Sequence, residues 1–128
     1  MNLNQVTVTL PDLDAGWRFY VGLGLEPIVD SRPDYARFAC PDGGATFSLH
    51  RGEANGGGTT VYFECADLDA RVAALSALGY AFAHGPADMP WLWREAELTD
   101  PGGNRVLLYF AGRNRLDPPW RVQKPPQA

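Results

Sequence analysis

Cysteine is scarce in this chain of 128 residues, and so is histidine: there are two of each. Cys40 and Cys65 have neither the number nor the spacing of a disulfide framework or a zinc site, so each is expected as a small buried apolar group. Positive charge is also short, with 11 Lys and Arg against 15 Asp and Glu and a formal net charge of -4. That balance argues against a nucleic-acid partner, which calls for a basic surface, and suits a small or cationic ligand better. No apolar run approaches the roughly 20 residues of a membrane span. The opening "MNLNQVTVTL" carries no basic patch or long apolar stretch of the signal-peptide kind, so the expected location is cytoplasmic.

What is present is ordinary for a folded domain: 45% hydrophobic and 20% charged residues, enough for one core or for two half-size units sharing one. The ordering repeats. "NQVTVTL" alternates as a half-buried strand, Asp12 is placed to cap a helix over "LDAGWRFYVGLG", and "EPIVDS", "YARFAC" and "ATFSLHR" read as three further strands, the last two joined by the turn "PDGG". After "RGEANGGG" the pattern restarts: "TTVYFEC" is a strand, Asp67 caps "LDARVAALSALG", and "YAFAHGP", "WREAELT" and "RVLLYF" follow. Leu13 and Leu68, like Gly24 and Gly79, stand 55 residues apart, which is the mark of a duplication. The expected organisation is a βαβββ module over residues 1–52, a glycine-rich linker over 53–58, a second module over 59–110 and an extended Pro- and Arg-rich tail over 111–128. The class is α+β, with the two modules forming a curved eight-stranded sheet around a concave cavity and the helices outside.

Strand parity separates two faces. The helix-side set is Val6, Val8, Leu10, Phe47, Leu49, Val61, Phe63, Cys65, Ala96, Leu98, Val106 and Leu108, almost wholly apolar. The opposite set mixes rings with polar groups: Gln5, Thr7 and Thr9; Tyr35 and Arg37; Thr46, Ser48 and His50; Thr60, Tyr62 and Glu64; Trp93, Glu95 and Glu97; Leu107 and Tyr109. Such a mixture composes a ligand surface when it is enclosed, and an ordinary solvated sheet face when it is not.

The duplicated unit, "DLDAGWRFYVGLGLEP" and the closing "PWLWREAELTDPGGNRVLLY" resemble the vicinal oxygen chelate superfamily over about residues 4 to 110. That family includes glyoxalase I, bleomycin-resistance proteins, fosfomycin-resistance enzymes and extradiol dioxygenases, so the resemblance implies a fold more firmly than a reaction. It also implies four metal-ligand positions, one on the first and one on the last strand of each module. Carried onto this chain they are Gln5, Ser48, Thr60 and Leu107, of which only Gln5 is a usual ligand. No metal and no other cofactor is therefore expected. The alternative is a metal-dependent lyase, isomerase or dioxygenase with a rearranged site at His50 and Glu64, which are displaced from Ser48 and Thr60 by about 6.6 and about 13 Å along their strands. "PWLWR" is similar to the family's Trp-Gly-x-Arg stretch with Leu92 in the glycine position, which implies a looser loop.

Glu64, Glu95 and Glu97 with Tyr35, Tyr62, Trp91, Trp93 and Tyr109 suit a flat cationic compound, and the bleomycin-resistance branch of the resembled family sequesters such a drug. The three carboxylates would repel one another without a cation nearby, and either Arg37 or the ligand itself is the expected counter-charge. Members of that family are commonly dimers, so the resemblance implies a homodimer. The expected function is metal-free binding of a small molecule, with Gln5, Tyr35, Arg37, Ser48, His50, Thr60, Tyr62, Glu64, Trp91, Trp93, Glu95, Glu97, Leu107 and Tyr109 as ligand-contacting residues and no catalytic residue assigned. Arg94 shares parity with Ala96 and Leu98 and is as well suited to a structural ion pair. In the tail, Trp120 beside "DPP" is placed to anchor on the body or on a second subunit.

Overall fold

A computed structural model describes residues 1–56 and 58–122; linker position 57 and tail residues 123–128 lie outside the described residues. The elements run β1 Gln5–Leu10, α1 Leu13–Leu23, β2 Glu26–Ser31, β3 Tyr35–Ala39, β4 Thr46–Arg51, β5 Thr60–Glu64, α2 Leu68–Ala77, β6 Phe82–Asp88, β7 Arg94–Thr99 and β8 Arg105–Phe110. This is the βαβββ order twice, in an α+β fold. The strands divide into two mixed four-stranded sheets, ordered β1-β4-β3-β2 and β5-β8-β7-β6. In each, the first strand lies parallel to the last one of its module and the remaining pairs are antiparallel. No described helix is long and apolar enough to cross a membrane.

Local chemistry sets the helix ends. The Asp12 side chain accepts from the Ala15 amide at 3.1 Å, and Gly24 closes α1 at φ 110, a left-handed value that glycine reaches without a Cβ penalty. Asp67 stands at the start of α2, but with ψ 42 its backbone is not extended and its side chain makes no cap hydrogen bond. Its carboxylate sits 3.8 Å from Arg71 instead. The tail begins in a single 3-10 turn over Gly112–Arg115, where the sequence reads as extended. The turn is fastened to the second sheet: Glu64 Oε2 accepts from the Ala111 and Gly112 amides, and Trp93 Nε1 donates to the Asn114 carbonyl.

The apolar faces of the two sheets meet in one core with both helices. Leu13, Tyr20 and Leu23 of α1, Leu68, Val72 and Leu75 of α2, and Val8, Leu10, Phe47, Leu49, Ala96, Leu98, Val106 and Leu108 of the strands belong to it. Phe47 of the first sheet lies edge-on to Phe63 of the second at 5.8 Å, and Phe19 packs on Tyr80 at 5.3 Å. Val6 alone of the strand positions assigned to this face is exposed. Cys40 and Cys65 are free thiols packed against the core, and burial pushes both thiols up.

A buried polar node joins the modules where the "DPGGN" turn presses on the end of β1. Asp100 accepts from Tyr20 Oη at 2.6 Å, from the Gly102 and Asn104 amides at 2.8 Å, and from Asn104 Nδ2 at 2.9 Å. Asn104, fully buried, also donates to the Thr9 carbonyl at 3.1 Å and accepts from Asn55 Nδ2 at 2.9 Å. The contact is so close that a Cβ at Gly102 would collide with Leu10 Cβ and lie 3.0 Å from Leu10 Cα and Thr9 O.

Two substitutions test this account. Tyr20→Phe and Asn104→Ala each remove a buried hydrogen bond to the Asp100 carboxylate and should cost about 1–3 kcal/mol in urea unfolding; because both act through Asp100, the double variant should lose measurably less than the sum. Leu92 is the one described non-glycine residue at positive φ, 68, and its turn is closed by Leu92 N to Met89 O at 3.0 Å and Met89 N to Trp93 O at 2.8 Å. The loop is thus tight with leucine in a glycine conformation. Leu92→Gly should raise stability by up to about 1 kcal/mol, because left-handed backbone costs roughly that for an L side chain.

Candidate functional site

Each sheet turns its second face away from the shared core, and register fixes which side chains meet there. On the first sheet, Thr7, Ser48 and Arg37 form one row, and Thr9, His50 and Tyr35 the next. On the second, Tyr62, Leu107 and Glu97 form one row, and Glu64, Tyr109 and Glu95 the next. The residues expected at the site therefore fall into two groups. Gln5, Tyr35, Arg37, Ser48 and His50 share the first sheet. Thr60, Tyr62, Glu64, Trp93, Glu95, Glu97, Leu107 and Tyr109 share the second, with Trp91 on the loop before β7. Among the described residues, no side-chain hydrogen bond or ring contact joins one group to the other.

On the first sheet Tyr35 Oη lies 2.8 Å from Ser48 Oγ and accepts from Arg37 Nε at 2.9 Å. The Ser48 hydrogen bond, reinforced by the Arg37 cation, holds the Tyr35 phenol below its ordinary range. His50 is exposed, with Nδ1 3.0 Å from its neighbour's carbonyl at Arg51.

On the second sheet Trp93 stacks on Tyr109 at 4.7 Å and 21°, and Tyr62 stands edge-on to both, at 6.2 and 5.8 Å. Tyr62 is half exposed, whereas Tyr109, Leu107 and Glu95 are buried. Burial, and after it the Glu64 charge, pushes the Tyr109 phenol up. Trp91 Nε1 donates to Glu95 Oε2 at 2.6 Å. Among the described residues Glu95 has no cation within 4.0 Å, since Arg105 pairs with Glu97 and Arg115 lies 3.8 Å from Glu64.

Arg37, expected as counter-charge to the carboxylates, is thus on the other sheet, and Arg105 and Arg115 take that role. Parity points to Arg105, two residues before Leu107 on β8, but the expected set omitted it. Arg94 is tied to Asp69 at 2.9 Å and Asp88 at 3.0 Å; its hydrogen bonds to Asp69 and then Asp88 push the guanidinium up, and it staples the start of β7 to α2 and β6.

The four inherited ligand positions do not suit a divalent ion. Gln5 pairs across with Thr46, whose hydroxyl donates to its Oε1 at 2.8 Å. Ser48 is fully buried with its hydroxyl against Tyr35. Thr60 Oγ1 accepts from the Arg105 guanidinium at 3.4 Å, and Leu107 is hydrocarbon. Neutral hydroxyls beside a fixed cation offer a metal little. His50 and Glu64 sit on different sheets; His50 Nδ1 lies against the Arg51 carbonyl, and Glu64 accepts from the Ala111 and Gly112 amides at the start of the tail. Among the described residues no three His, Cys, Asp or Glu side chains gather.

A cleft of about 670 Å³ opens elsewhere, between the apolar faces, with Val6, Phe47, Val61, Phe63, Leu108 and Arg71 among the residues that line it. Of the expected site residues only Tyr62 and Glu64 reach it. Strand parity could not find this cleft, because packing of one module on the other creates it.

The model of the Glyoxalase/Bleomycin resistance protein/Dioxygenase superfamily matches residues 2–108. A glyoxalase/bleomycin resistance protein/dioxygenase from Nocardioides is 22% identical with a TM-score of 0.77, over 96% of this chain and 90% of its own. A superfamily member from Sphaerobacter thermophilus is 25% identical with a TM-score of 0.71, over 86% and 97%. A bleomycin-binding protein complexed with bleomycin is 16% identical with a TM-score of 0.71, over 86% and 98%, a likeness of fold. Among curated proteins none matches. The duplicated βαβββ fold and the family match agree, and the chain belongs to the Glyoxalase/Bleomycin resistance protein/Dioxygenase superfamily.

Proposed function

We propose that this protein is a metal-independent small-molecule-binding protein that sequesters or carries an aromatic, cationic compound on the polar face of its second sheet. Glu95 carries the reading. The residue is 5% exposed, its carboxylate has no cation within 4.0 Å among the described residues and feels Arg105 only at longer range, and it lies on a strand beside the stacked rings of Trp93 and Tyr109. A buried carboxylate without a cation is costly, and aromatic faces attract cations, by about 2 kcal/mol or more where water is excluded. A flat organic cation meets both demands. The family supplies precedent in the bleomycin-binding protein solved with bleomycin.

The two polar faces also complement one another in charge. On β1, β3 and β4 the first carries Arg37 and His50 and no carboxylate, while the second carries Glu64, Glu95 and Glu97. Since each turns away from the chain's own core, a second copy is the partner that would bring a first face onto a second face and enclose the ligand. The proposed assembly is a homodimer.

Titration with bleomycin or another aromatic cation should quench tryptophan fluorescence. Trp93→Ala and Glu95→Gln should each weaken binding by about tenfold, the equivalent of about 1.4 kcal/mol. Neutral or anionic aromatics that bind as tightly as the cation and lose affinity equally in Trp93→Ala and Glu95→Gln, or unchanged affinity for the cation in both variants, overturn the reading. Sedimentation equilibrium should give twice the mass of one chain at low salt and a shift toward one chain at high salt, because opposed charges are screened there. A single-chain mass under all conditions overturns the dimer.

A further inference from the structure

Arg37, Tyr35 and Ser48 sit together on the first sheet and have no part in the aromatic cluster of the second, so what they recognise is a separate question. Ser48 is fully buried, and among the described residues its hydroxyl has one partner, Tyr35 Oη at 2.8 Å. A hydroxyl carries one donor and two acceptor positions. If Tyr35 donates, the Ser48 hydrogen is left buried without an acceptor, at a cost of about 1–3 kcal/mol. If Ser48 donates, nothing buried is wasted. The phenol oxygen then receives two hydrogen bonds, from Ser48 Oγ and from Arg37 Nε at 2.9 Å, and its own O–H is free to point out of the half-buried site.

Arg37 is placed for the same task. Its Nε is committed to Tyr35, its guanidinium lies 5.6 Å from the Tyr35 ring centre, and among the described residues its two Nη groups hold no hydrogen bond and no carboxylate. The surrounding face supplies no competing anion. Thr7 lies opposite Ser48, and Thr9 and His50 lie in the row of Tyr35. From β2, Val29 and Ser31 stand opposite Arg37 and Tyr35; the acidic neighbours by register are Asp30, opposite Ala36 and paired with Arg32 at 2.8 Å, Asp34, which precedes Tyr35 and pairs with Arg51 at 2.7 Å, and Glu26, opposite Ala39. The site thus offers donors without an intrinsic acceptor: two Nη groups and one phenol O–H. Donors in that arrangement match the two oxygens of a carboxylate.

We infer that Arg37 and Tyr35, with Ser48 orienting the phenol, form a carboxylate-binding subsite on the polar face of the first sheet. Arg37 supplies the charge and the forked donors, Tyr35 the third hydrogen bond, and Ser48 acts through Tyr35 as a positioning residue. The same two donors into the phenol oxygen account for the lowered Tyr35 ionisation. Within one chain the subsite lies on a different sheet from the aromatic cluster; in the proposed dimer the two would face one another, and the variants of Arg37 and Tyr35 report on the subsite while those of Trp93 and Glu95 report on the cluster.

Benzoate is the probe, with benzamide as its uncharged counterpart. Calorimetry should show benzoate binding to the full chain at least tenfold tighter than benzamide. Arg37→Gln should abolish that preference, and Tyr35→Phe should weaken benzoate by roughly fivefold while keeping the charge. Arg37→Lys, with its charge retained and its fork lost, should fall between. In the unaltered chain, saturating benzoate should move the lowest tyrosine ionisation, followed by absorbance near 295 nm, to higher pH, because a bound anion opposes tyrosinate; this readout needs no variant to fold. Equal affinity for benzoate and benzamide, unchanged benzoate binding in both Arg37→Gln and Tyr35→Phe, or an unmoved tyrosine titration overturns the subsite.

Discussion

The Asp100 carboxylate is the constraint on which the two-module body depends. It is buried with 4% exposure, and its two oxygens accept from Tyr20 of the first module and from the amides and side chain of its own turn. Through Asn104 the same node holds the Thr9 carbonyl at the end of β1 and the Asn55 amide of the linker. A buried carboxylate is tolerable only when its lone pairs are matched, so the matching fixes how one module sits on the other. Desolvation by burial, followed by the Asp100 charge, pushes the Tyr20 phenol far above its ordinary value, which keeps it a proton donor to Asp100.

From that fixed arrangement the rest follows. With the helix-bearing faces turned inward, the two polar faces look outward, and the duplicated strands are free to carry different chemistry. Position 5 of β1 is a glutamine, and its counterpart 55 residues on is Thr60. The first sheet keeps a cation and hydroxyls around Tyr35; the second has gathered rings and carboxylates around Tyr109. Duplication supplied the scaffold twice, and the second copy did not inherit the chemistry of the first.

Much of this was legible in order and parity. The glycine-punctuated repeat gave the element sequence, because turns and caps are local. Alternation separated apolar from polar faces, because a strand's side chains must alternate; Val8, Leu10, Leu49 and Leu98 are buried as that rule requires. Less legible were features that depend on backbone detail or on distant partners. Asp67 has the residue type of a cap without the backbone that lets it act as one. Leu92 keeps a tight turn with its backbone in the left-handed region that favours glycine. Arg105 neutralises Glu97, a pairing that strand register creates and composition cannot express.

The sequence by itself determined the α+β class, the twofold βαβββ order and the face of each strand, since all of these rest on residue type and on periods of two or 3.6. Only the tertiary structure decided that the helix-bearing faces meet in one core, that Arg37 and the carboxylates are parted onto different sheets, and that the cleft opens between the apolar faces. The reason is physical: parity says which side of a strand a residue occupies, but which sides meet is settled by contacts between residues as far apart as Tyr20 and Asp100, whose joint burial no local pattern encodes.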